Sequence, residues 1–325
     1  MKKNSLSDKK VVVIGGGTGS SVFLRALKNF TENITAIVNV CDDGGSTGKI
    51  RKDYSVIAMG DIRNCIVALS DEESLVSRLV NYRFKDGFMS KQSVGNILIT
   101  VLDDLMGSFP LAISAICDVL AITGRVLPVS TDNITLCAEM ENGKIVKGES
   151  QIPKFAAKHK TSISRVYNSP IDAKVFGECV DAIKNADIII YAPGSLYTSI
   201  IPNFLVSGVV DALKESRAEK FWVVNLMTQK GETRDYKLSD HIKAFEKHTK
   251  ERGIVDHIIY NTSPITDEYI LQRYANEGAS PVECDIENEI CAGYDLIGLD
   301  IAKVVDKAVR HDSEKAIEYI FGMCE

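Results

Sequence analysis

Val11-Val12-Val13-Ile14-Gly15-Gly16-Gly17-Thr18-Gly19-Ser20 joins a β-branched apolar run to a glycine-rich turn. A short Val/Ile run that ends in glycines reads as a strand buried on both faces, as in a parallel sheet. Beyond the turn, Val22, Phe23, Ala26, Leu27 and Phe30 recur at helical spacing, which predicts a helix over 20–30. A second β-branched run over 34–40 completes a βαβ unit.

The alternation continues downstream. Helical periods cover 62–70, 73–82, 95–106, 110–120, 199–214, 239–250 and 266–278, with 304–323 as a closing helical segment. Strand-like runs cover 186–191, 221–226 and 254–260. Between 125 and 152 the pattern shifts to short strands, and Asn142-Gly143 between 136–140 and 144–146 signals a hairpin. Residues 41–54 read as a long functional loop and 152–164 as a polar surface excursion. The expected fold is α/β, a Rossmann-like, doubly wound, mostly parallel sheet with a small hairpin-containing insertion. Residues 1–325 are expected to form one domain, with the insertion or subdomain around 125–170.

Bulk properties narrow the function. The net charge of −6 argues against a nucleic-acid partner, whose phosphates demand clustered Lys and Arg. Eight scattered cysteines show no CxxC pair or Cys/His ligand spacing, as expected of small core residues in a reducing compartment rather than a zinc site. The polar start leads straight into a strand, and no apolar run is long enough for a membrane span. Cytoplasmic location and a homo-oligomer, a dimer, are the corresponding expectations.

In a doubly wound sheet, ligands bind at the carboxyl ends of the strands. Four polar clusters directly follow predicted strands (15–20, 42–48, 192–198 and 225–233), so they should converge on one edge. Gly15, Gly16, Gly17, Thr18 and Gly19 free the backbone to approach a ligand, and the helix start offers N–H groups and a positive dipole end to phosphate. Ser20 stands where a dinucleotide fingerprint has its third glycine, and no G-K-[ST] follows, so the loop is not Walker A and speaks only weakly for NAD(P). Asp42 and Asp43 could hold a ribose, coordinate Mg²⁺, or form an Asp-Gly turn. Lys49 and Arg51 are near enough in sequence to reach a phosphate.

Asp61, Arg63 and Asn64 gather at a helix start, with Asp61 a natural N-cap, and Asn96 could cap a helix or bind ligand. Gly194, Ser195, Tyr197 and Thr198 repeat the logic of the first loop with added hydroxyls. This is no nucleophile elbow, because Pro193 precedes Gly194 and Tyr197 replaces the final glycine. Apart from His311, no histidine falls in a polar cluster at this edge, which leaves a Ser-His-Asp mechanism without support. Asn225, Thr228 and Gln229 suit recognition of a base or sugar, and Tyr269 and Arg310 are lone candidates on predicted helices.

Together these motifs resemble the YvcK/CofD-like family, and within it the bacterial YvcK branch of gluconeogenesis factors. The resemblance rests on 14–19, 42–48, 60–64, 82–84, 95–96, 124–128, 193–199, 227–233 and 310–312, in order along most of the chain. It implies a Rossmann-like sheet. It also implies loops at Gly16 and Gly194 that hold a diphosphate, with Tyr269 and Arg310 contacting a nucleotide-sugar. The CofD branch transfers 2-phospho-L-lactate from a guanosine-diphosphate-activated donor to a deazaflavin with Mg²⁺. The YvcK branch binds UDP-sugars such as UDP-GlcNAc and is needed for cell shape on gluconeogenic carbon sources. Three functions therefore stand: a non-catalytic nucleotide-sugar-binding regulator, an Mg²⁺-dependent 2-phospho-L-lactate transferase-like phosphotransferase, and an NAD(P)-dependent oxidoreductase.

Overall fold

The computed structural model of the chain describes residues 7–71 and 73–324; part of the polar start lies outside them. Strand β1 (Val11–Gly15) is buried at every position, helix α1 (Gly17–Leu27) follows it, and β2 (Ile34–Val38) runs parallel beside it. Five helices precede the next strand: α2 (Gly45–Tyr54), α3 (Gly60–Leu69), α4 (Leu75–Asn81), α5 (Val94–Met106) and α6 (Phe109–Val119). Strand β3 (Arg125–Pro128) then pairs parallel with β2.

The hairpin β4 (Thr135–Met140) and β5 (Ile145–Lys147) follows, then α7 (Ile152–His159) and β6 (Ile163–Ser169). These three strands form a separate antiparallel sheet in the order β5-β4-β6. Helix α8 (Gly177–Lys184) leads to β7 (Ile188–Tyr191), a π-helical turn at Leu196–Ile200, and the short helices α9 (Ile201–Phe204) and α10 (Val209–Glu215). The remainder is β8 (Glu219–Val223), α11 (Leu238–Thr249), β9 (His257–Asn261), α12 (Glu268–Glu277) and β10 (Asp295–Leu299). A two-stranded ribbon, β11 (Ala302–Val305) and β12 (Ala308–His311), and helix α13 (Ser313–Met323) complete it.

The main sheet has seven strands in the order β10-β9-β8-β7-β1-β2-β3, and every pairing is parallel. The chain winds outward from β1 through β2 and β3, then returns to place β7 on the other flank of β1. The winding therefore reverses between β1 and β7, where connections on the two sides leave in opposite directions and open a crevice. Continuous Val/Ile runs serve this topology because both faces of the central strands are covered. Ile14, Ile37, Ile189 and Ile190 have no accessible surface. Helix α1 buries Phe23, Leu24 and Leu27 and packs against α3 and α13.

Several local expectations need correction. The stretch 41–54 is a loop only as far as Gly44, because Ser46, Thr47 and Ile50 bury one face of α2. The lysine-rich excursion contains α7, whose Ile152 and Ala156 are one turn apart and buried, with Pro153 in its first turn. The helix expected over 199–214 is broken. Pro202 cannot donate a backbone hydrogen bond, and just before it the Ile200 N–H reaches back five residues to the Ser195 carbonyl at 3.0 Å. The closing segment begins as the β11–β12 ribbon. Asp306 and Lys307 at its tip have φ of 49° and 60°, the left-handed pair that a tight hairpin requires.

Ile14→Ala should lower stability by about 2–5 kcal/mol. Chemical unfolding should show this as a lower midpoint with an unchanged slope.

Candidate functional site

The crevice between β1 and β7 widens into a cavity of about 370 Å³. Three of the four clusters line it: Gly16 to Gly19 after β1, Pro193 to Ser195 after β7, and Asn225 to Gln229 after β8. Tyr274, Val309, Arg310, His311 and Ser313 close its far wall.

The first wall is backbone. Gly17 has φ +71°, and the turn delivers the chain into α1 with no acidic side chain in the first helical turn. The early N–H groups of α1, at Thr18 and Gly19, have no intrahelical acceptor and face the helix's positive end. Gly19 abuts the second turn so closely that a Cβ there would lie 2.1 Å from the Pro193 carbonyl oxygen. The phosphate-cradling potential of this corner comes from two backbones that no side chain separates.

Side chains behind the second wall hold it in shape. Asn225 accepts from the Gly194 N–H at 3.1 Å and donates to the Gly194 carbonyl at 2.7 Å, a two-way clamp between the ends of β7 and β8. Glu232 accepts from the Tyr197 N–H at 3.2 Å and from the Thr198 hydroxyl at 2.9 Å. A buried carboxylate thus caps the π-helical turn from another segment. Asn203 reaches the Ser199, Ile200 and Gly15 carbonyls, and Asn39 reaches that of Thr198. Gln229 donates to Ser195 Oγ at 2.9 Å, while its Oε1 is buried without a partner.

Beneath the glycine turn, on the β2 side, lies a group of half-buried carboxylates. Asp61 accepts from the Gly17 N–H. Burial, reinforced by the charge of Asp42, pushes its pKa up to about 7. Burial and then Asp42 and Asp61 push Glu149 to about 8, and burial alone pushes Glu232 to about 7. Asp42 is also raised by burial while accepting from the Gly44 N–H at 2.8 Å. Asp43 accepts from the Ser150 N–H at 2.8 Å. Among the described residues, no three His, Cys, Asp or Glu side chains gather as a metal-binding set.

The sequence-selected residues therefore divide. Gly16, Gly17, Thr18, Gly19, Gly194, Ser195, Asn225, Thr228, Gln229 and Arg310 line the cavity. Gly15 ends β1 behind it, its carbonyl accepting from the Asn39 N–H at 3.0 Å. Tyr197 and Thr198 turn inward, Tyr197 to the Tyr236 hydroxyl at 2.8 Å. Asp61 stands directly under the loop, but Arg63 and Asn64 hydrogen bond to one another and Arg63 to Asn81 at 2.9 Å. Asn96 donates to Thr47 Oγ1 at 3.2 Å and leaves Oδ1 buried and unpartnered. Arg51 is committed to the Cys41, Asp42 and Ile134 carbonyls and to Asn133.

Tyr269 is 65% exposed and lies outside the cavity lining. Tyr274, farther along the same helix, takes the place at the wall, and its hydroxyl accepts from the Val309 N–H at 3.1 Å. Arg310 reaches the cavity from a strand, not a helix. Sequence reasoning missed Tyr274, Val309, Ser313 and Glu149; Glu149 has no local signal, since only tertiary folding brings it to Asp42 and Asp61. Among the described residues no helix is long and apolar enough to cross a membrane.

Residues 11–301 match the family model described as 2-phospho-L-lactate transferase CofD. A protein of Halalkalibacterium halodurans named gluconeogenesis factor is 44% identical over 316 residues, 97% of this chain and 96% of the relative. A Bacillus subtilis protein of the same name is 41% identical over 315 residues, 97% of this chain and 98% of the relative. The crystal structure of a Bacillus halodurans protein described as a UPF0052 family member superposes with a TM-score of 0.92 at 44% identity. It covers 97% of this chain and 100% of that one.

Gly19→Ala should force the first two turns apart, which chemical or thermal unfolding should read as a lowered midpoint. The carboxylates predict a pH dependence. Asp61, Glu149 and Glu232 hold protons in the folded state up to about 7, 8 and 7, whereas unfolded carboxyls release theirs near 4. The folded state then binds more protons, so stability falls as pH rises through this window. His311, lowered by burial to about 4, acts oppositely, but only below its unfolded value of 6.5. Thermal midpoints should therefore drop as pH rises from 6.5 to 8, and Asp61→Asn should flatten that slope.

Proposed function

The chain belongs to the CofD family, and from that premise we propose that it is a gluconeogenesis factor that binds a nucleotide diphosphate sugar, such as a UDP-sugar. Relatives across its whole length carry the name gluconeogenesis factor. The observation that carries the ligand reading is the paired glycine turns at the β1/β7 reversal. There, free N–H groups at the start of α1 and the Pro193-Gly194-Ser195 turn offer donors to a diphosphate. Thr228, Gln229, Tyr274 and His311 farther along the same cavity supply hydrogen-bonding groups suited to a nucleoside and sugar. An NAD(P) oxidoreductase is the weaker reading, since Ser20 replaces the third fingerprint glycine and turns its hydroxyl back to the Gly16 carbonyl at 3.0 Å. The protein acts in the cytoplasm, as a homodimer, and serves cell morphogenesis on gluconeogenic carbon sources.

A second reading, an Mg²⁺-dependent phosphotransferase of the 2-phospho-L-lactate transferase type, is favoured by the carboxylates under the loop. Asp42, beside Asp43 on one side and Asp61 on the other, offers the hard oxygen donors that Mg²⁺ takes. These carboxylates fall short of a three-carboxylate set, so an ion held by one or two of them would complete its shell with phosphate oxygens and water. Such an ion would neutralise phosphate charge and favour the ionised form of Asp61. The chain's own part would be to orient the diphosphate through its backbone donors.

Titration calorimetry with UDP-GlcNAc should give saturable heat, and ligand at one hundred times its Kd should raise stability by about 2.7 kcal/mol. Absence of heat at millimolar ligand sinks the first reading. Transfer of 2-phospho-L-lactate to a deazaflavin with Mg²⁺, lost in Asp42→Asn, would establish the second.

A further inference from the structure

The cavity's donors face the diphosphate, but its far wall presents an acceptor that the structure leaves unused. His311 ends β12 and lines that wall. Its Nε2 lies 3.0 Å from the Val224 carbonyl oxygen. A carbonyl can only accept, so Nε2 carries the hydrogen, and Nδ1 of the neutral ring keeps a lone pair. No donor among the described residues bonds to Nδ1. Burial lowers the pKa of His311 to about 4, so the ring stays neutral at physiological pH.

Gln229, elsewhere in the lining, also keeps an acceptor without a donor. Gln229 commits its amide N–H to Ser195, and its Oε1 is buried with no partner. That oxygen has almost no accessible surface, so it is closed to a ligand, whereas the unused His311 Nδ1 is not among the buried unpartnered atoms and remains open at the cavity. The doubly esterified diphosphate of a nucleotide sugar offers only acceptors, so only the nucleoside or sugar could satisfy His311 Nδ1.

We propose that His311 is a specificity-determining residue whose Nδ1 accepts a hydrogen bond from a ligand hydroxyl or imide N–H, selecting phosphorylated compounds that carry such a donor. Val224 at the end of β8 fixes the ring, so the acceptor is oriented before ligand arrives. This assignment rests on the nucleotide-sugar reading and adds which polarity the non-phosphate part must have.

Two substitutions divide the ring's functions. His311→Gln places an amide near Nε2 and can keep the bond to Val224 while losing the cavity acceptor. His311→Asn places its amide near Nδ1 and can keep the acceptor while losing the Val224 bond. Calorimetry of the full chain with UDP-GlcNAc, UDP and pyrophosphate reads the outcome. His311→Gln should weaken UDP-GlcNAc by about tenfold, leave pyrophosphate unchanged and hold the thermal midpoint. His311→Asn should recover much of the affinity. Loss confined to UDP-GlcNAc assigns the donor to the sugar, and equal loss with UDP assigns it to the nucleoside.

Wild-type affinity retained in His311→Gln overturns the assignment alone, leaving the nucleotide-sugar reading intact. Equal weakening of pyrophosphate, or equal loss in both variants with lowered midpoints, also overturns it by showing a structural role. Failure of the wild type to bind either uridine compound overturns the nucleotide-sugar reading and this assignment with it.

Discussion

Two turns meet backbone to backbone where the winding of the sheet reverses, and the rest of the molecule is arranged to keep them there. Gly19 can approach the Pro193 carbonyl only because it has no Cβ, and Asn225 locks the Gly194 peptide from both its donor and its acceptor side. The long side chains around them point away from the junction. Tyr197, Thr198 and Glu232 form their own buried network behind it, and Asn203 ties Gly15 to the π-helical turn. The π-helical turn fits this scheme. Widening the helix by one residue keeps the hydroxyls of Ser195 and Ser199 at the cavity while Tyr197 packs inward.

The same junction accounts for the electrostatics. A helix start with no acidic residue in its first turn favours negative charge, and Asp61 already answers it from below through Gly17. A diphosphate would come from above, to the N–H groups of Thr18 and Gly19. Two anions on opposite faces of one turn repel, so Asp61 sits more comfortably protonated or beside a cation when the cavity is filled. Asp42 pushes Asp61 the same way, and both of them raise Glu149. The carboxylates therefore belong to the chemistry of the turn even though they do not line the cavity.

The parallel sheet was legible because runs such as Val11 to Ile14 and Ile188 to Tyr191 have a period and composition that a solvated strand would not carry. Of the four polar clusters, 42–48 lies outside the cavity lining. Convergence of the other three on the cavity was legible from topology alone, since each follows a strand and the strands are parallel. What side chains do within a cluster was not. Tyr197 and Thr198 match a ligand-binding turn in sequence, yet they answer Glu232 and Tyr236, which lie more than thirty residues away. Tyr269 and Tyr274 share a helix, and only the docking of β12 on that helix decides which one meets the cavity. The β11–β12 ribbon was hidden because its turn uses Asp306 and Lys307 instead of an Asn-Gly pair. Arg310 and His311 consequently arrive on a strand.

Strand β1 pairs on one side with β2, its near neighbour in sequence, and on the other with β7, where Val11 meets Ile188. During synthesis the first pairing is available early, whereas the second waits until more than half of the chain has left the ribosome. Over that interval β1 is an apolar edge with unpaired backbone groups, a template for unintended strand addition. The cavity inherits the same timing, because one wall exists long before the other. A ligand of this cavity could therefore not template the early half of folding. It can act only on a chain whose last long-range contacts are closing, and there it would pull assembly to completion.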